Sequence, residues 1–192
     1  YVVIGAGIAG CSLAYFLSKY SKSILLIDRN SQVAFGASGA AGAFLSPLLG
    51  KPNDFKDLVT KSLIFSTNFY KNLAEELVSN CGVCRIPKNQ EDTDKFESYK
   101  PYMDFEYTQM NDGYFFEIGS QVTPSLICEK LTKDIEKKLS YNVIKLEQNE
   151  NSTWIINDEI CAKNIILTTG ADVKHIKEDY FDIRGVWGQK ID

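Results

Sequence analysis

Val2-Val3-Ile4-Gly5-Ala6-Gly7-Ile8-Ala9-Gly10, with Asp28 eighteen residues past the last glycine, is the stretch on which the fold turns. Three consecutive apolar residues without alternation read as a strand covered on both faces. The Gly-x-Gly-x-x-Gly run then breaks it. The first glycine permits the tight turn, the second leaves room for a pyrophosphate, and the third lets a helix pack closely on the strand. That helix is expected to run to about Tyr20, with Ile8, Cys11, Ala14 and Leu17 or Ser18 on one face. Its start offers free N–H groups and a positive dipole end to phosphate. Ser23 to Ile27 reads as the next strand, and Asp28 stands where a ribose hydroxyl would find an acceptor. Strand, helix and acid agree. The pattern predicts a right-handed βαβ unit, the seed of an α/β doubly wound parallel sheet, and an adenine-dinucleotide site.

Asp28 favours a free ribose hydroxyl over a 2′-phosphate and argues against NADP, although Arg29 beside it softens the point. The choice between NAD and FAD turns on a second loop, Phe35-Gly36-Ala37-Ser38-Gly39-Ala40-Ala41-Gly42-Ala43. Solvated linkers are usually polar, so this uncharged, small-residue loop is expected to press its backbone against something. A cofactor with a long extended body, FAD, suits it; the competing reading is a plain surface loop.

Beyond it, Pro52-Asn53 sets up a long helix, with Phe55, Leu58, Val59, Ser62, Phe65, Phe69, Leu73 and Leu77 at helical spacing down to Asn80. A strand follows at about Val83 to Ile86, then a turn or short helix near Asp92 to Tyr99. Asn111-Asp112-Gly113 predicts a hairpin between Phe105-Glu106-Tyr107 and Tyr114-Phe115-Phe116. Thr123-Pro124 is a capping hydroxyl followed by a first-turn proline, and Ile127, Leu131, Ile135 and Leu139 give the helix it opens a four-residue apolar row. Short strands are expected near Asn142 to Leu146, Trp154 to Ile156 and Glu159 to Cys161. Ile165-Ile166-Leu167, fully apolar, is expected to return to the first sheet.

The chain has 192 residues, with 21 Lys plus Arg against 25 Asp plus Glu, 44% apolar and 24% charged. That balance excludes a disordered or collagen-like chain and a general nucleic-acid-coating role, while leaving a local basic patch open. No apolar run approaches the roughly 18 residues needed to span a bilayer. No secretory pattern is present, and five scattered cysteines do not suggest a disulfide framework. A soluble cytoplasmic protein is the expectation. Opening inside an apolar run at Tyr1, and closing on what reads as an unfinished strand at Val186 to Asp192, the chain reads as a truncated piece of something longer.

These residues resemble the D-amino-acid oxidase/glycine oxidase superfamily of FAD-dependent oxidoreductases, in order and along nearly the whole chain. Val3 to Gly10 with Asp28 resembles its FAD fingerprint, and Gly36 to Gly42 with Pro47 the loop that passes pyrophosphate and flavin. Val122-Thr123-Pro124 resembles its helix start after the first substrate-domain strands. Ile166-Leu167-Thr168-Thr169-Gly170-Ala171 resembles its element beside the cofactor, and Val186-Trp187-Gly188-Gln189 its entry to the substrate sheet. Within the superfamily the second loop is most like the oxidase module of MnmC. Ala40 stands where that module commonly has Asn, Thr168 where Ala is usual, and Trp187 where Arg is usual.

The resemblance implies a Rossmann-like FAD-binding domain over 1–80 and 120–176, and parts of an α+β substrate domain over 81–119 and 177–192. It implies oxidation of the C–N bond of an amine or amino-acid-like substrate, with the carboxymethylaminomethyl group of tRNA wobble uridine as one candidate. A free glycine, D-amino acid or sarcosine is the other, and neither involves a membrane. It implies cofactor contacts at Gly5, Gly7, Ile8, Ala9, Gly10, Asp28, Arg29, Ser38, Gly39, Ala40, Ala41, Gly42, Thr169 and Gly170, with no acid or base assigned. An NAD-dependent dehydrogenase and a non-catalytic dinucleotide-binding module stay open as rivals.

Other features read as structural. Cys81-Gly82-Val83-Cys84 has no second CxxC, and the single histidine, His175, is distant, so it reads as small residues starting a strand rather than a metal or redox site. His175 reads as a solvated residue. Tyr114-Phe115-Phe116 reads as core packing before it reads as a pocket wall. The lysines near 19–22, 51–56 and 133–138 read as solvated helix faces and lend no support of their own to tRNA binding.

Overall fold

The structure, a computed structural model, describes residues 1–172 together with Ile183 and Gly185. Its elements in chain order are β1 (Val2–Ile4), α1 (Ile8–Leu17), β2 (Leu25–Ile27), α2 (Ala37–Ala40), β3 (Phe44–Leu45), α3 (Lys56–Ala74), β4 (Val78–Ser79) and β5 (Val83–Arg85). There follow α4 (Gln90–Tyr99), β6 (Thr108–Met110), β7 (Gly113–Phe116), β8 (Ser120–Val122), α5 (Pro124–Leu131), β9 (Glu136–Lys138), β10 (Leu146–Gln148), β11 (Trp154–Ile156), β12 (Ile160–Ala162) and β13 (Ile165–Leu167). Contacts divide the chain into two compact units. One is Tyr1–Ala41 with the described part of Pro124–Asp192; the other is Gly42–Thr123. Residues 42–80 therefore cluster with 81–119 rather than with the glycine turn, because α3 runs into β4, which pairs with β8.

The first unit is built on a four-stranded sheet of order β13-β1-β2-β9, parallel at every junction. β1, β2 and β13 alternate between two covered faces, which is why they carry no polar alternation, whereas the edge strand β9 is charged and largely exposed. On one face Val2, Ile4 and Ile27 pack with Val143, Ile156 and Ala162, beneath the antiparallel sheet β10-β11-β12. Val3 and Leu26 are fully buried on the other, where α1 packs on β1 and β2 and α5 packs on α1. Cys11 and Cys128 are both buried, and the Cys11 thiol donates to the Ala6 carbonyl at 3.3 Å; the neighbouring Cys128 first, then burial, pushes the Cys11 thiol up, so it stays protonated. Ile165 to Leu167 returns to the first sheet in register with Val2 to Ile4, as the apolar run foretold.

The row from Ile127 to Leu139 does not continue as one helix. α5 ends at Leu131, and Glu136–Lys138 pairs with Leu25–Ile27 as β9. Local bonding supports the break: the Thr132 hydroxyl donates back to the Cys128 carbonyl at 2.8 Å, and the Lys137 ammonium donates to the Thr132 and Ile135 carbonyls.

The second unit holds two antiparallel sheets, β3-β8-β4 and β5-β7-β6. Phe96 of α4 packs with Tyr114 and Phe116 of β7 in an aromatic core joined by Tyr107. The hairpin forms at Asn111-Asp112, but its first strand is Thr108–Met110 and not 105–107. A two-residue loop sets Met110 opposite Gly113 and so fixes the register. Cys81 and Cys84 are exposed free thiols, with Cys84 inside β5. No helix among the described residues is long and apolar enough to cross a membrane.

Leu26→Ala, in the fully buried middle of β2, is expected to cost about 3 kcal/mol in chemical denaturation. Tyr20→Ala, at a side chain 89% exposed, should stay within about 0.5 kcal/mol of the parent.

Candidate functional site

The carboxyl ends of β1, β2 and β13 open on one cleft of about 900 Å³, wholly within the first unit. Open parallel sheets bind ligands at such ends, where the chain order reverses from one strand to its neighbours. Here the reversal lies at β1, with β2 on one side and β13 on the other.

Backbone crowding shapes the floor. Gly5 sits at φ +108, and a Cβ there would land on the carbonyl of Thr168. A Cβ on Gly10 would land on the carbonyl of Gly5, so the third glycine brings α1 against the turn and does not line the cleft. Thr168 fills its position with a function that alanine would lack. Its hydroxyl lies 2.8 Å from the Gly5 carbonyl and 3.0 Å from that of Ile4, clasping β13 to the turn.

The N-terminus of α1 faces the cleft uncapped by its own Gly7. Ser38, brought in by α2, supplies the missing acceptor: Ile8 N–H donates to its Oγ at 3.0 Å. An added Cβ on Gly7 would come 3.2 Å from the same oxygen. The loop reaches this place because Ala34, in the left-handed region at φ +56, donates its N–H to the Ala6 carbonyl at 2.8 Å.

Asp28 sits at the end of β2 with its carboxylate held by three donors. Ala6 N–H donates to Oδ2 at 2.6 Å, and the Asn30 backbone and side-chain N–H groups donate to Oδ1 at 2.8 and 2.9 Å. Arg29 pairs with Asp172 at 2.8 Å. Its charge is therefore answered from within the protein by an acid at the same cleft.

Of the sequence-derived site residues, Gly5, Gly7, Ile8, Ala9, Asp28, Arg29, Ser38, Ala40, Thr169 and Gly170 line the cleft together. Gly10, Gly39, Ala41 and Gly42 do not. Gly39 packs on the Ala34 carbonyl and Gly42 on the Phe44 ring. The lining also includes Asn30, Phe35, Asp172 and the run Tyr141-Asn142-Val143, none of them singled out from sequence. Tyr141 N–H donates to the Asp28 carbonyl at 2.8 Å. The signal for that run was its place just past the end of β9, a strand hidden in the apolar row read as helix. His175 and Val186 to Gln189 lie outside the described residues.

A family model for FAD-dependent oxidoreductases, DAO, matches residues 1–191. The tRNA 5-methylaminomethyl-2-thiouridine biosynthesis bifunctional protein MnmC of Marinomonas sp. (strain MWYL1) is 24% identical over 213 residues, covering 96% of this chain and 32% of the relative. Glycine oxidase from Geobacillus kaustophilus superposes with a TM-score of 0.73 at 13% identity, over 88% of this chain and 55% of that one. L-alpha-glycerophosphate oxidase from Mycoplasma pneumoniae, solved with FAD bound, does so at 0.65 and 17%, over 85% and 52%. The chain thus spans about a third of the curated relative and about half of the solved proteins. At these identities the solved structures speak for the fold alone.

Thr168→Val keeps the shape and removes the hydroxyl bonds to Ile4 and Gly5. It should cost about 1 to 2 kcal/mol by thermal or chemical unfolding. Gly10→Ala should cost more, because only backbone movement relieves its contact with Gly5.

Proposed function

The chain belongs to the DAO family of FAD-dependent oxidoreductases, and from that premise we propose that its cleft holds FAD and that the whole protein oxidises the C–N bond of an amine carrying an N-carboxymethyl group. The observation that carries the reading is the cradle itself. A glycine turn with no room for side chains opens a helix N-terminus, with Ser38 at its mouth and the pinned carboxylate of Asp28 on the neighbouring strand.

The residues fit the cofactor. Gly7 and the start of α1 would take the pyrophosphate through free N–H groups and the helix dipole. Ser38 spends an acceptor on Ile8 and keeps its proton to donate to a phosphate oxygen. Asp28, oriented by Ala6 and Asn30, retains lone pairs for the ribose hydroxyls. Tyr141 to Val143 would line the adenosine end beside it, with Thr169 and Gly170 at the end of β13. When bound, FAD would supply the acceptor for a hydride from the carbon next to nitrogen. The protein's own work is to bind and orient.

Two substrates share the chemistry. Likeness to MnmC along nearly the whole chain supports the carboxymethylaminomethyl group of tRNA wobble uridine, and with it a cytoplasmic place of action. A free glycine or sarcosine carries the same N–CH₂–COO⁻ unit, and the glycine oxidase that shares this fold supports it as the alternative. On either reading, the first unit serves the cofactor and the residues around 81–119 serve the substrate.

Purified protein is expected to show flavin absorption bands, or to acquire them with FAD, and to lose them on anaerobic addition of its amine. A colourless protein that FAD cannot reconstitute sinks the reading, and bound FAD that no amine reduces turns it into a non-catalytic module. Bleaching by modified tRNA alone, with glycine and sarcosine inert, selects the tRNA substrate. Asp28→Ala should weaken FAD binding roughly tenfold to a hundredfold in a fluorescence titration.

A further inference from the structure

α3 is apolar on two faces, where a helix lying against one sheet needs only one. Its inward face carries Leu63 and Ala74, both buried, with Val59 and Tyr70 half-buried beside them, and it meets β3 and β4. Its outward face carries Leu58 at 60% exposure and Phe65 at 55%, with Phe55 at 67% just before the first turn. Phe69 is half-buried on the same side, its ring stacked on that of Phe65 at 5.6 Å. Apolar surface gathered in this way marks an interaction site rather than scattered exposure.

The outward residues Phe55, Leu58, Ser62, Phe65, Phe69 and Asn72 are spaced alternately three and four positions apart. That alternation keeps a seam facing a second helix, here over about 25 Å. The seam is also complementary to itself when reversed. Antiparallel pairing about a twofold axis midway between Ser62 and Phe65 sets each Phe65 against the other copy's Ser62. The same pairing sets Leu58 against Phe69 and Phe55 against Asn72, so that the central ring fills the space over a small residue as a knob fills a hole. Charge follows the same reversal. The first turn carries Asp57 and the last turn Lys71, both exposed and on one flank of the seam. Antiparallel helices bring each Asp57 level with the other copy's Lys71 and oppose their dipoles, whereas parallel helices would set like charge beside like. Lys71 also meets Glu75 at 3.9 Å on the surface, and its three donors leave it able to take a second acid.

We propose that this face of α3 is the docking surface for a second copy of the chain, paired helix to helix and antiparallel about a twofold axis. Such an interface is isologous, with the same patch used on both copies. The proposal does not rest on the flavoenzyme reading.

The test is sedimentation equilibrium of the full chain over a range of concentrations. The parent is expected to reach twice the chain mass as concentration rises. Phe65→Glu should raise the dissociation constant roughly a hundredfold, with the circular dichroism spectrum and thermal unfolding at parent values because the side chain is exposed. Tyr20→Glu, at a more exposed aromatic outside the seam, should leave association unchanged. Asp57→Lys and Lys71→Asp should each weaken association roughly threefold to tenfold, and the variant carrying both should recover the parent value, because the exchange restores opposite charges across the axis.

A parent that stays monomeric at every concentration overturns the proposal, including the case in which another segment of a longer chain or a different protein lies on the seam. Association that survives Phe65→Glu, or that Tyr20→Glu weakens equally, belongs to another surface and overturns it as well. Failure of the double charge exchange to restore association overturns the antiparallel pairing.

Discussion

The first unit depends on how closely three backbone segments approach around Gly5. Its own Cα faces the carbonyl of Thr168, and its carbonyl faces the Cα of Gly10, at separations that admit no side chain. The Thr168 hydroxyl closes the arrangement by bonding the Ile4 and Gly5 carbonyls. As a result β1, α1 and β13 meet as bare backbone, and the start of α1 is held at the edge of the sheet with its N–H groups facing outward. Dinucleotide binding is a consequence of that sterically enforced position before it is a matter of any side chain.

The polar groups around this turn are organised from the end of β2 and from α2. Asp28 collects N–H groups from Ala6 and Asn30, which ties the end of β2 to the glycine turn and fixes the direction of its carboxylate. Ser38 performs the matching task for α1, capping a helix whose own N-cap residue, Gly7, has no side chain to do so. Arg29 and Asp172 offset each other's charge at the cleft. The exposed pair contributes little stability.

The second unit is organised on a different principle, an aromatic core with one acid at its edge. Burial first, then the hydrogen bond to Glu97, pushes the Tyr114 phenol up, so it stays protonated and donating. Lys100 first, then Tyr114, holds the Glu97 carboxyl below the ordinary carboxylate range.

Much of this was legible from residues alone. The glycine turn, the strand before it, the acid after the second strand and the return of Ile165 to Leu167 all follow from constraints that act over a few positions: steric room at a glycine, a capping hydroxyl, a run with no polar alternation. Where two local rules competed, the sequence misled. The row of Ile127, Leu131, Ile135 and Leu139 fits a helix, but pairing with β2 recruits 136–138 as a strand, and with that the Tyr141 to Val143 wall came into view. The hairpin turn was legible and its register was not, because the pairing of Met110 with Gly113 shifts the first strand along the chain. By itself, then, the sequence determined the βαβ core and the kind of ligand its turn can hold, since both are short-range consequences of sterics and periodicity. Only the tertiary structure decided that Ser38 caps a helix 30 residues away and that Arg29 is answered by an acid 143 residues away. Such pairings are set by which strands meet, and no local pattern encodes them.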